Sequence, residues 1–245
     1  MFDGFLFIDK PTGPTSHDVV DRVRQLIRED CKLKAESCKL PKVGHAGTLD
    51  PFATGLLIIG IGKATKELGK LAGLDKEYEA TMRLGAISDT YDRTGKITRT
   101  ADRLPPTATI EAAIEKFVGT IEQIPPMYSA KKVHGKKLYE LARAGIEIKR
   151  KPIKVTIYSI DVADLNATRW TLNARIKCSS GTYIRSLAHD IGQALGCGAY
   201  LDELRRTSIG PWSVKKAEPL AALTVENFPM HLKSTKEVLE QVRIV

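Results

Sequence analysis

The stretch GHAGTLDPFATG, Gly44 to Gly55, places one histidine and one carboxylate among three glycines and a proline, directly before the apolar run LLIIGIG. Pro51 pushes Asp50 toward extended backbone, and the flanking glycines allow sharp turns or close approach to a ligand, so the carboxylate projects from a loop. Two readings of Asp50 stand at this point: a carboxylate that does chemistry, or the hydrogen-bonding residue of an ordinary turn. His45 divides the same way, between a general base and a loop or packing histidine. No serine or cysteine has a recognisable nucleophile context. DKPTGPT, Asp9 to Thr15, has only a superficial likeness to an aspartyl-phosphate motif, because its prolines break the spacing. There is no G-x-x-x-x-G-K-[ST] loop, which argues against a nucleotide-driven machine.

A second feature concerns charge. Lys and Arg outnumber Asp and Glu by 38 to 29, a net charge of +9. Residues 131–154, KKVHGKKLYELARAGIEIKRKPIK, hold nine Lys and Arg against only Glu140 and Glu147, and so contribute +7 of it. Such a concentrated field suits a phosphate backbone, and a solvated lysine-rich face is the alternative. Cysteines 31, 38, 178 and 197 form no C-x2-C pair, which excludes the usual zinc patterns. Cys31 and Cys38 are expected as free thiols in a reducing compartment. The longest apolar run, Gly55 to Gly62, is too short to cross a bilayer, and the first ten residues do not read as a leader. A cytoplasmic protein without membrane association is expected.

The elements that must position Asp50 follow from periodicity. FLFIDK reads as a strand, and Val19, Val20, Val23, Leu26 and Ile27 recur at helical spacing behind a capping box made by Thr15 and Asp18. Glu29 to Lys42 is expected as a surface loop. EYEATMRL, IKVTIYSI and RWTLNARIK alternate as half-buried strands do, the last with Trp170, Leu172, Ala174 and Ile176 on one face. Pro105 and Pro106 precede a helix carrying Ile110, Ala113, Ile114, Phe117 and Val118, with Gly119 as its stop. GTYIRSLAHDIGQALG turns into a helix with Ile184, Leu187, Ala188, Ile191 and Leu195 inward. Strands and helices alternate without a regular βαβ repeat, which predicts an α+β fold.

Five separated blocks, in order, resemble the TruB family of pseudouridine synthases, the bacterial tRNA pseudouridine-55 synthases. They are DKPTGPTS; GHAGTLDPFATGLLIIGIGKATK; KEYEATMRLGAISDTYDRTG; QIPPMYSAKKVHGKKLYELARAGIEI; and CSSGTYIRSLAHDIGQALGCGAYLDELRRTSIG, within about Gly4 to Trp212. The resemblance implies a pseudouridine synthase fold, a mixed and mostly antiparallel sheet with flanking helices and an RNA-gripping thumb insertion near 124–152. It implies that Asp50 is the nucleophile acting on a flipped-out uridine 55 in the tRNA T-loop. Tyr78 would stack on the uracil and serve the proton exchange at C5, and Arg185 would be the cation that keeps the carboxylate ionised. Tyr183 and Leu204 match residues lining the uridine pocket, His45 a histidine near the flipped nucleotides, and Lys10 and Pro11 supports of the active-site loop. Lys131, Lys132, Lys136, Lys137 and Arg143 would meet T-arm phosphates.

No metal and no organic cofactor are implied, and a stand-alone monomer without an obligatory protein partner is expected. The catalytic domain is expected over 1–216. Only residues 212–245 follow Pro211, too few for the PUA-type domain common in the family, so 217–245 is expected as a short extension. The rivals are a guide-RNA-dependent relative, which shares GTLDP, and a non-catalytic RNA-binding or tRNA-folding module.

Overall fold

The computed structural model describes residues 2–33, 39–129, 132, 133 and 135–242. In chain order the elements are β1 (Gly4–Lys10), α1 (Ser16–Leu33), β2 (Val43–His45), β3 (Thr54–Ile61), α2 (Leu68–Ala72), β4 (Lys76–Leu84), β5 (Ala86–Ser88) and β6 (Ile97–Arg99). There follow α3 (Thr107–Glu115), β7 (Gly119–Gln123), β8 (Lys132–Val133), β9 (Lys136–Lys137), α4 (Leu138–Arg143), β10 (Ile153–Asn166) and β11 (Thr171–Cys178). The chain continues through α5 (Ile184–Ala194), β12 (Ala199–Ile209), β13 (Trp212–Ser213), β14 (Glu218–Pro219) and α6 (Thr235–Val242). The fold is α+β with mixed, mostly antiparallel strand pairing, and it divides into two compact units, Met1–Lys76 with Arg205–Val245, and Glu77–Leu204.

In the first unit β1 lies antiparallel to β3 from Gly4↔Ile61 to Lys10↔Gly55, β2 adds to β3, and Arg205 and Arg206 of β12 run parallel to Thr54 and Gly55. The apolar run of β3 is continuous because both its faces are covered. Leu57, Ile59 and Ile61 pack with Leu6 and Ile8 against Val19, Val20, Val23, Leu26 and Ile27 of α1. Leu56 and Ile58 pack with Phe5 and Phe7 against Trp212, Val214 and Val238.

The start of α1 is the expected capping box: the Asp18 N–H donates to Thr15 Oγ1 (3.1 Å) and the Thr15 N–H donates to Asp18 Oδ2 (2.8 Å). Its end corrects the expected loop. The helix continues to Leu33 with Asp30 and Cys31 buried, three and four residues beyond Ile27 on the same stripe, where a polar side chain disguised the period. Cys31 is disulfide-bonded, which overturns its expectation as a free thiol, whereas Cys178 and Cys197 are buried outside any disulfide. Cys38 lies outside the described residues.

In the second unit the strand order is β4-β11-β10-β7, and burial along β4 alternates as its sequence does. Leu172, Ala174 and Ile176 share the buried face of β11, but Trp170 sits before the strand in a left-handed turn, φ 56°. Gly119 does not cap α3, which ends at Glu115; at φ 108° it opens β7. Gln123 of β7 pairs with Ile153 of β10, so residues 124–152 form an insertion between two paired strand ends. That insertion carries the β8–β9 hairpin and α4.

Candidate active site

Asp50 sits in the loop between β2 and β3, half-buried, and the first unit grips this loop almost wholly through its backbone. Ser16 Oγ donates to the Leu49 carbonyl (3.0 Å) and accepts from the Leu49 N–H (2.8 Å). The fully buried Lys10 ammonium donates to the carbonyls of Pro11 (2.9 Å), Pro51 (3.3 Å) and Ala53 (2.7 Å). The Gly13 N–H donates to the Pro51 carbonyl (2.8 Å). Arg206, 1% exposed, donates from Nε to Leu56 (2.8 Å) and from its terminal nitrogens to Gly47 (3.1 Å) and Thr48 (3.5 Å). Gly47 (φ 87°) and Gly55 (φ 106°) supply the two left-handed turns this path needs. A Cβ at Gly55 would come within 2.2 Å of the Arg206 carbonyl oxygen.

The electrostatics of this loop are cationic. Burial pulls the Lys10 ammonium down to about 8, while the Asp50 carboxylate pulls it up, and the same attraction favours the ionised carboxylate. His45, paired with Ile59, is held below its ordinary pKa by burial and then by Arg206, and its buried Nδ1 has no hydrogen-bond partner among the described residues. The imidazole is therefore neutral near pH 7. Arg205 makes a two-pronged pair with Asp9 (3.0 and 2.6 Å), next to Lys10 in β1.

The second unit holds Tyr78, Tyr183, Arg185 and Leu204. Tyr78 is buried on β4 and Leu204 on β12. Tyr183 stands at the N-terminus of α5, where the buried Gln123 amide bonds both its N–H (2.8 Å) and its carbonyl (3.0 Å). Two residues on, the buried Arg185 guanidinium donates to the carbonyls of Tyr128 (2.6 Å) and Thr90 (3.3 Å) and to Asp92 Oδ2 (3.3 Å). Asp92, equally buried, spends its other oxygen on Thr90 Oγ1 (2.8 Å) and the Thr94 N–H (2.9 Å).

Lys132 faces Lys137 and Val133 faces Lys136 across the β8–β9 hairpin, and Arg143 ends α4. Lys131 lies outside the described residues. Sequence reasoning missed Ser16, Asp92, Gln123 and Arg206. All four lie within the quoted family blocks, but nothing in their local spacing marks them. No described helix is long and apolar enough to cross a membrane.

Comparison with known proteins places these residues in a family. The model of the TruB family pseudouridylate synthase N-terminal domain matches residues 34–184, and that of the tRNA pseudouridylate synthase B C-terminal domain matches 185–242. A tRNA pseudouridine synthase B of Geobacter sulfurreducens is 45% identical over 225 residues, covering 90% of this chain and 69% of that protein. One from Bordetella pertussis is 46% identical over 224 residues, covering 90% and 86%. Among solved structures, that of a Cbf5-Nop10-Gar1 complex matches 97% of this chain with a TM-score of 0.72 at 30% identity, and this chain spans 62% of the matched one. An H/ACA RNP bound to a substrate RNA containing 2′-deoxyuridine matches with a TM-score of 0.68 at 27% identity, again over 97% of this chain, and 61% of its own. With family models matched across 34–242 and relatives at this level of identity, the chain belongs to the TruB family of pseudouridylate synthases.

Proposed function

We propose that the protein isomerises uridine 55 in the T-loop of tRNA to pseudouridine, with Asp50 as nucleophile on a flipped-out nucleotide. The tRNA substrate is supported by relatives at 45% and 46% identity named tRNA pseudouridine synthase B. In the reaction the N1–C1′ bond breaks, a C5–C1′ bond forms, the C5 proton leaves and N1 gains one. No redox change and no phosphate energy are involved, so one well-placed carboxylate suffices. Three routes use it: addition to C1′, removal of the C2′ proton, or attack on C6. All three need Asp50 ionised.

The observation that carries this reading is the Asp50 loop itself. Ser16, Lys10, Arg206 and Gly13 all hold its backbone, which fixes the path of the chain on both sides of the Asp50 carboxylate. A buried ammionium-bearing side chain, Lys10, favours its charged form. Tyr78 and Arg185 take the stacking, proton-exchange and charge roles that the family pattern assigns to them, Tyr183 and Leu204 line the uridine pocket, and His45 attends the flipped nucleotides. The Lys131 to Arg143 segment contacts T-arm phosphates as a thumb spanning about 124–152. The enzyme acts alone in the cytoplasm as a monomer, without guide RNA.

The test is to incubate the purified protein with an unmodified tRNA transcript and with the isolated T-arm stem-loop, and map pseudouridine at single-nucleotide resolution. Conversion at position 55 of both, with efficiencies within roughly tenfold, is expected because a loop nucleotide is cheap to extrude. Binding without conversion would favour the non-catalytic rival, and a need for added guide RNA would favour the guide-dependent one.

A further inference from the structure

Tyr91 is an odd residue to find where it is. Its φ of 64° is a left-handed conformation that a bulky side chain adopts only under strain. The neighbouring backbone is tied down on both sides: the Leu201 N–H donates to the Tyr91 carbonyl (3.0 Å), and the Arg93 N–H donates to the Leu201 carbonyl (3.0 Å). The Tyr91 ring stacks face to face on His189, with centroids 3.9 Å apart and planes at 14°.

His189 lies four residues after Arg185 in α5, on the same face of that helix. Arg185 holds the Thr90 carbonyl and the Asp92 carboxylate, and His189 holds the Tyr91 ring between them. Three consecutive residues are thus gripped by one helix face. The grip by His189 is made by the ring plane; its Nδ1 is buried with no hydrogen-bond partner among the described residues. Were Tyr91 to relax to right-handed backbone, the direction of the chain at Asp92 would change, and with it the ion pair that orients Arg185.

We propose that the Tyr91–His189 stack is a positioning device that holds the 90–92 turn in its left-handed form and so aims the Arg185 guanidinium. Neither residue touches the reacting atoms in this scheme. The inference rests on the reading that Arg185 serves pseudouridine formation.

Glycine accepts left-handed and right-handed backbone alike, so Tyr91→Gly removes the ring and frees the turn to leave its left-handed form. Measured on an unmodified tRNA transcript, its kcat should fall by about tenfold to a hundredfold with KM within about threefold, while its Tm stays within a few degrees of wild type. His189→Ala should show the same kcat loss, and Tyr91→Phe and His189→Phe, which keep two stacked rings, should retain kcat within about twofold. If Tyr91→Gly does not fold, His189→Ala and its rescue by His189→Phe carry the test. A wild-type kcat in both ring-deleted variants, a loss seen only in KM, or a loss that His189→Phe fails to restore would overturn the proposal. Asp50→Asn run in parallel separates the two claims. If it keeps activity, the reading of the reaction is wrong; if it is inactive while Tyr91→Gly is fully active, only the stack has been misassigned.

Discussion

Asp92→Asn replaces one oxygen of a buried ion pair and leaves the rest of the turn alone. The amide oxygen can still accept from Thr90 Oγ1 and the Thr94 N–H, but its NH2 group then faces the Arg185 guanidinium, donor against donor. At 3.3 Å and an effective dielectric of about 20 the gross attraction lost is about 5 kcal/mol. Removing one partner of a buried pair costs about 3–5 kcal/mol in net stability. Arg185 keeps its bonds to the Thr90 and Tyr128 carbonyls, so the lower end, about 3 kcal/mol, is expected. For a chain of this size that corresponds to a Tm lowered by about 6–12 °C, measured by calorimetry or circular dichroism. Single-turnover assays on tRNA at a temperature where the variant is folded should show the chemical step slowed by about a hundredfold, with binding changed little, because the guanidinium is no longer aimed. A variant with wild-type Tm and wild-type rate would show that the ion pair neither supports the fold nor orients Arg185.

Three further expectations come from other parts of the molecule. Lys10 loses its proton at about pH 8, so the rate of the chemical step should be highest below that pH and decline above it as the ammonium beside Asp50 is neutralised; a pH–rate profile flat from 7 to 9.5 would contradict this. Neutralising Lys131, Lys132, Lys136 and Lys137 should weaken tRNA binding and flatten its salt dependence, each lost phosphate contact removing up to about one unit of log-log slope, and an unchanged slope would mark the run as a solvated face. Gly55→Ala should cost about 3 kcal/mol or more, because the residue has φ 106° and its Cβ would meet the Arg206 backbone; a thermal melt within a degree of wild type would refute the packing argument.

Much of the scaffold was legible in the sequence, and the reasons are local. The Thr15–Asp18 cap, the alternation of β4 and the stripe from Val19 to Ile27 all depend on residues within a few positions of one another. Asp50 stood out for the same reason, between glycines and before a proline. What local pattern does not show are the contacts made with distant partners. Lys10 reaches a carbonyl 43 positions away at Ala53, Arg206 one 159 positions away at Gly47, and Arg185 a carboxylate 93 positions away at Asp92. A buried cation satisfied by backbone oxygens looks, in one dimension, like any other surface Lys or Arg. The end of α1 was missed for a different reason, since Asp30 interrupts the apolar period even though the helix face continues through Cys31.

The central claim is that one ionised carboxylate, Asp50, carries the isomerisation of uridine 55. The most direct measurement compares wild-type protein with Asp50→Asn on one unmodified tRNA transcript, mapping pseudouridine nucleotide by nucleotide and measuring tRNA affinity on the same preparations. The amide keeps the shape of the side chain and loses its charge. Pseudouridine at position 55 with wild type, none with the variant and affinity within a few-fold is the expected result. Substantial conversion by a clean Asp50→Asn preparation, or conversion by wild type at some other position, would contradict the account.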